Sequence, residues 1–217
     1  DFTGPAKYSD DGGGFSGAAG DYALDLGGVN DRSYGQTPEG EHLNSAFDNN
    51  AMSVAFWQNT TQFGNTSSFW IHSPEATGGQ RGFQSHTPWG NGTIYFDQSG
   101  CCGATQRLTV GGLVQLNQWQ HFVFQRDADG NMEIWVDGVR KVTGQGAFWK
   151  PTDSTEPFIQ FGSSAKAGLG EAIWSSVRLG VRKITTPPLK DPVKITVSKP
   201  WDIPRKEVNH TRPYLYD

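Results

Sequence analysis

Between Arg81 and Leu108 the chain reads RGFQSHTPWGNGTIYFDQSGCCGATQRL, and six of its side chains are of types that bind hydroxylated ligands. Within a strand over residues 80–87, Arg81, Phe83 and Ser85 point one way, and Gly82, Gln84 and His86 the other. Trp89 follows at a turn rich in proline and glycine, and Tyr95 and Asp97 share one face of a returning strand. Arg107 lies on the strand after that. Neighbouring strands of one sheet bring such residues to a single patch. A flat aromatic ring stacks on the apolar face of a sugar, while amide, carboxylate and guanidinium groups bond its hydroxyls. Gln84, His86, Trp89, Tyr95, Asp97 and Arg107 supply both and form the candidate ligand-binding set. The alternative is an ordinary solvated sheet face, with Trp89 closing a hydrophobic edge.

The same stretch holds the only two cysteines, Cys101 and Cys102. Adjacent Cα atoms lie about 3.8 Å apart across a trans peptide, below the roughly 4.4 Å at which ordinary disulfides begin. A bond between them closes an eight-membered ring on a strained or cis peptide, and it is the expectation in an oxidising compartment. Two free thiols are the alternative. A zinc site using His86 has little support, because no CxxC or HxxxH spacing accompanies it. Asn-x-Ser/Thr sequons at Asn59, Asn65, Asn91 and Asn209 are candidate glycosylation sites. Chance is their alternative in a chain rich in Asn and Thr. Sequons and adjacent cysteines together point to a secreted, extracellular or cell-surface protein.

The elements that position these residues read as short strands. Trp119 to Gly138, WQHFVFQRDADGNMEIWVDG, is a hairpin. Trp119, His121 and Val123 alternate with Phe122 and Phe124, the segment from Asp127 to Asn131 supplies the turn, and Met132, Ile134 and Val136 resume with period two. Other strands are expected at 21–27, 52–58, 67–73, 80–87, 92–97, 106–110, 139–143, 157–162 and 172–184, with Leu43 and Phe47 tucking in as a short one. Residues 58–65 read as an exposed loop. This regular spacing predicts an all-β fold, an antiparallel β-sandwich. Residues 1–20 form an irregular lead-in, 21–184 the sandwich, and 185–217 an extended Pro-rich C-terminal arm. The arm carries a candidate edge strand at 193–197 and the aromatics Trp201, Tyr214 and Tyr216. It is expected to fold back on its own sandwich or to make oligomer or assembly contacts.

The Trp-x-His strand, the polar turn and the closing Val-Asp-Gly resemble the centre of a laminin-G-like (concanavalin A-like) jelly roll. The segments from Gly20 to Gly28 and from Met52 to Trp57 are similar to that family's opening and next core strands. The family includes adhesion modules, sugar-binding modules and accessory domains of enzymes. The resemblance also implies calcium. Asp10, Asp11, Asp21, Asp25 and Asp31 offer hard oxygens, and Asp21 and Asp25 are the candidate metal ligands.

The resemblance also extends to sugar-cleaving enzymes, whose chemistries require particular residues. Glu133 and Asp137 are the nearest approach to the two carboxylates of a retaining glycosidase, but Trp135 stands between them and Asp137 suits a turn. Gln84-Ser-His86 resembles the Gln-x-His element of an alginate lyase family, yet that family's Arg-x-Glu-x-Arg strand is missing. Catalytic-triad, phosphate-loop and dinucleotide patterns are absent.

A length of 217 residues suits one sandwich. A charged fraction of 18% and a net charge of -4, with no basic stripe, disfavour nucleic acid as a partner. Apolar runs are too short to span a membrane. Residue 1 falls in what reads as mid-linker sequence, so a processed chain or a fragment of a longer protein is expected. The leading expectation is a non-catalytic extracellular module that recognises glycan or an extracellular protein. A structural subunit held by its arm and a polysaccharide lyase are the alternatives.

Overall fold

The structure is a computed structural model that describes residues 2–4, 6–27, 34–37, 48–65, 67–72, 82–98, 103–146, 158–162 and 172–180. The chain divides into two units, Asp1–Ile184 and Thr185–Asp217. The second holds the expected arm and lies outside the described residues, as do Leu43, Phe47, Cys101, Cys102 and Asn209.

Fourteen strands occur among the described residues. In chain order they are β1 (Phe2–Thr3), β2 (Lys7–Tyr8), β3 (Ala23–Asp25), β4 (Tyr34–Gln36), β5 (Met52–Thr60), β6 (Phe69–His72) and β7 (Phe83–His86). There follow β8 (Thr93–Gln98), β9 (Arg107–Gly111), β10 (Trp119–Arg126), β11 (Asn131–Val136), β12 (Val139–Gln145), β13 (Phe158–Gly162) and β14 (Ala172–Gly180). They make two seven-stranded sheets, ordered β1-β4-β13-β6-β7-β8-β9 and β12-β11-β10-β5-β14-β3-β2. The architecture is the expected all-β antiparallel sandwich.

Period-two alternation builds its core. Val54 and Phe56 of β5, Phe122 and Phe124 of β10, and Ile134 and Val136 of β11 point inward from the second sheet. Phe69, Ile71, Phe83, Ile94 and Phe96 meet them from the first. The rings pack at angles that fit their quadrupoles: Phe69 and Phe96 stand edge-on to Phe124 at 5.6 and 5.5 Å. The hairpin forms as expected, with Phe122 opposite Val136 and Phe124 opposite Ile134.

Three boundaries differ from expectation. The lead-in is not wholly irregular, since β1 and β2 each add a two-residue strand to a sheet edge. Strand β4 is not among the expected strands; it pairs with β1 and β13. Strand β5 runs on to Thr60, so Gln58 and Thr60 are buried rather than in an exposed loop. Their polar atoms bond to one another and to residues from other segments. Gln58 Nε2 donates to Thr60 Oγ1 at 2.7 Å and to the Thr87 carbonyl, and Gln58 Oε1 accepts from Ser68 Oγ at 3.1 Å.

Candidate functional site

All six candidate ligand-binding residues meet on one face of the first sheet. The ladder sets Gln84 opposite Asp97 and His86 opposite Tyr95, and then Asp97 opposite Arg107. Because Phe83, Ile94 and Phe96 point into the core, their neighbours share the opposite face. Trp89 joins them from the turn between β7 and β8, closed by a bond from Trp89 N to Thr93 O at 2.9 Å.

Asp97 is the centre of this group, and it is 0% exposed. It accepts hydrogen bonds from Arg107 Nε to Oδ1 at 2.5 Å and from Arg107 Nη2 to Oδ2 at 2.6 Å. Gln84 Nε2 donates to Oδ2 at 3.1 Å, and His86 Nε2 lies 3.4 Å from the same oxygen. Burial alone would raise the Asp97 carboxyl, but the bonds from Arg107, His86 and Gln84 outweigh it and hold the group below its ordinary range. The same carboxylate raises the Arg107 guanidinium above its already high value. Arg107 also lies over the Tyr95 ring, 4.3 Å from its centroid.

His86 stands edge-on to Trp89 at 4.7 Å and to Tyr95 at 6.0 Å. Its Nδ1 lies 3.5 Å from Ser67 Oγ, which accepts from Trp70 Nε1 at 2.6 Å. At the open end of the patch, Asn91 Nδ2 donates to the Tyr95 hydroxyl at 2.8 Å, and Asn91 Oδ1 accepts from Thr93 N at 3.0 Å. The exposed Phe63 lies against Gly92, where a Cβ would come 3.3 Å from Phe63 Cε2.

The six residues therefore divide by exposure. Gln84 at 2% and His86 at 6% are buried with Asp97, whereas Trp89, Tyr95 and Arg107 are partly exposed. The buried three hold the other three in place.

The laminin G family profile matches residues 30–174, a match to a concanavalin A-like lectin/glucanases superfamily. The chain belongs to this superfamily. No curated protein matches it. Among solved structures, the binding domain of botulinum neurotoxin DC in complex with rat synaptotagmin II is similar, with a TM-score of 0.59 at 12% identity over 85% of this chain and 43% of that one. The same toxin domain in complex with SialylT is similar at TM-score 0.55 and 13% identity, over 85% of this chain and again 43% of that one. A conserved carbohydrate esterase from the Shiga toxin-encoding bacteriophage phi24B is similar at TM-score 0.54 and 12% identity, over 83% of this chain and 89% of that one. The chain spans under half the length of the toxin domains. At such identities the likeness is one of fold.

Superfamily membership does not by itself place a site, and the chain's own residues must do so. Ser67, Trp70 and Phe63 lie outside the expected set. Trp70 is legible in principle, since it alternates with the core residues Phe69 and Ile71 on a strand beside β7. Of the sequons, Asn65 and Asn91 are exposed, whereas Asn59 lies within β5 with a buried Oδ1. Asp21 Oδ2 accepts from Ser16 N and Ser16 Oγ, each at 2.6 Å, and Asp25 Oδ1 accepts from Gly27 N at 2.9 Å. Both carboxylates thus close local turns. Calcium takes about six to eight oxygens, and among the described residues no three His, Cys, Asp or Glu side chains gather. Also among them, no helix is long and apolar enough to cross a membrane.

Proposed function

We propose that this chain is a non-catalytic module that recognises glycan outside the cell, as part of a larger protein or assembly, through Trp89, Tyr95 and Arg107. One observation carries the reading: a partly exposed indole, phenol and guanidinium stand together on one sheet face, set there by the buried Asp97 network. Guanidinium groups bond sugar oxygens, and aromatic rings stack on sugar C–H faces. Membership of a superfamily of lectins and glucanases supports the same ligand class. A binding role suits the site better than a lyase role. Both ring nitrogens of His86 face buried side chains, Asp97 and Gln84 on one side and Ser67 on the other. A general base needs a lone pair directed at the substrate proton.

A glycan-array screen of the full chain, with calcium and again with chelator, tests the proposal. Binding that falls at least about tenfold in Trp89→Ala is the expected result, the loss of one stacking contact. A folded chain that binds no glycan overturns it. Attention then passes to assembly through residues 185–217, read by sizing the chain with and without residues 186–217.

A further inference from the structure

The site's unused hydrogen-bonding groups identify the class of glycan, an inference that rests on the reading above. A guanidinium carries five N–H donors in a planar fork. Arg107 uses its Nε–H and one Nη2–H on Asp97, and it makes no other hydrogen bond among the described residues. Three donors remain, two on Nη1 and one on Nη2. One from each nitrogen lies along the end of the fork, a second parallel pair of N–H groups. The Tyr95 hydroxyl accepts from Asn91 and donates to no described residue. Asn91 Oδ1 accepts from Thr93 N, and where Asn91 carries no glycan its second Nδ2 hydrogen is a further donor. Along this line of contacts, from Arg107 across Tyr95 to Asn91, the free N–H and O–H donors outnumber the acceptor sites, which are the second lone pairs of the Tyr95 oxygen and Asn91 Oδ1. The carboxylate that would repel an anion, Asp97, is fully buried and already engaged by Arg107, Gln84 and His86.

A donor-rich surface, built around a planar two-N–H edge, fits an acceptor-only planar or tetrahedral anion. We infer that the glycan bound here carries a carboxylate or a sulfate, seated on the free Nη1/Nη2 edge of Arg107 with the Tyr95 hydroxyl beside it and a sugar ring against Trp89. A neutral pyranose would meet the same donors with uncharged hydroxyl oxygens, and those bonds are weaker than charge-assisted ones.

The test is calorimetric titration of the full chain with matched glycans: uronate-bearing oligosaccharides against their carboxyl-reduced forms, sialylated against desialylated, and sulfated against desulfated. The acidic member is expected to bind at least about tenfold tighter, with affinity falling as salt rises. The carboxylate and sulfate arms separate the two anions. Tyr95→Phe keeps the ring under the guanidinium and removes only the hydroxyl, and is expected to weaken the acidic ligand several-fold. Arg107→Lys keeps the charge without the fork and should abolish the preference. If that variant does not fold, the matched pairs on the unaltered chain still decide. Equal binding of acidic and neutral members overturns the inference while leaving sugar recognition standing. Binding of neither overturns both.

Discussion

Arg107 grips Asp97 side-on, Nε to Oδ1 at 2.5 Å and Nη2 to Oδ2 at 2.6 Å, across the ladder between β8 and β9. The pair does two things at once. It satisfies a carboxylate that β8 cannot expose, and it fixes the plane of a guanidinium whose other end remains available.

Removing the carboxylate charge therefore has a structural consequence. Asp97→Asn keeps the side-chain shape but places an amide N–H where an oxygen received donors. The expected loss is about 2–3 kcal/mol, below the usual range for breaking a fully buried pair because Arg107 can reach solvent. Urea unfolding should show a lower midpoint with an unchanged slope. An unchanged midpoint would mean the pair contributes nothing net.

The same group sets a pH dependence. Its folded value lies below its ordinary one, so its stabilisation is fully present above the unfolded carboxylate value and is lost as pH falls through the folded value. The stability gap between the unaltered chain and Asp97→Asn is expected to hold steady from about pH 7 to 5 and to shrink below about pH 4. A gap that instead shrank between neutral pH and 5 would assign the dependence to another group.

Period-two alternation makes this site legible in the sequence. A residue pair such as Gln84 and His86, set against Tyr95 and Asp97, can only face together once Phe83 and Phe96 are inside. The alternation does not show that Asp97 is buried, because a strand's outer face is solvated in one protein and covered in another. It fails at Gln58 and Thr60 for a related reason. A polar residue at an inward position reads as the end of a strand unless its partners are known. Those partners, Ser68 and Thr87, come from elsewhere in the chain. Two-residue strands such as Lys7–Tyr8 are too short to carry a period at all.

Gly92 couples the turn of the site to the loop before β6. Its φ of 76° is left-handed, it donates to Trp89 O at 2.8 Å, and a Cβ there would press on Phe63 at 3.3 Å. Gly92→Ala is expected to cost about 1–2 kcal/mol from the backbone alone and to weaken ligand binding by moving Trp89. Adding Phe63→Ala removes the contact but not the φ penalty, so the double variant should recover little stability. Full recovery in thermal unfolding would show that crowding, not backbone conformation, dominates.

Phe15 anchors the lead-in to the opposite sheet. Its ring stacks on Trp57 at 3.6 Å and 18°, and meets Trp119 edge-on at 6.4 Å, while Trp57 lies 5.1 Å from His121 of the neighbouring strand. Within the segment, Ser16 and Gly20 bond to the Asp21 and Asp11 carboxylates, and Gly14 N donates to the Asp21 carbonyl at 3.0 Å. The Ser16 and Asp21 bonds are part-buried and internal to the segment, whereas the aromatic stack ties it to the sheet and adds roughly 0.5–1.5 kcal/mol beyond its buried area. Phe15→Ala should therefore release residues 10–21 to proteolysis and shift tryptophan emission to the red, while the Phe56, Phe122 and Phe124 core stays folded. Phe15→Leu, which keeps apolar area without a ring, should fall between. If Phe15→Ala changes neither protease sensitivity nor emission, the Asp21 carboxylate and not the ring holds the lead-in, and Asp21→Asn becomes the variant that frees it.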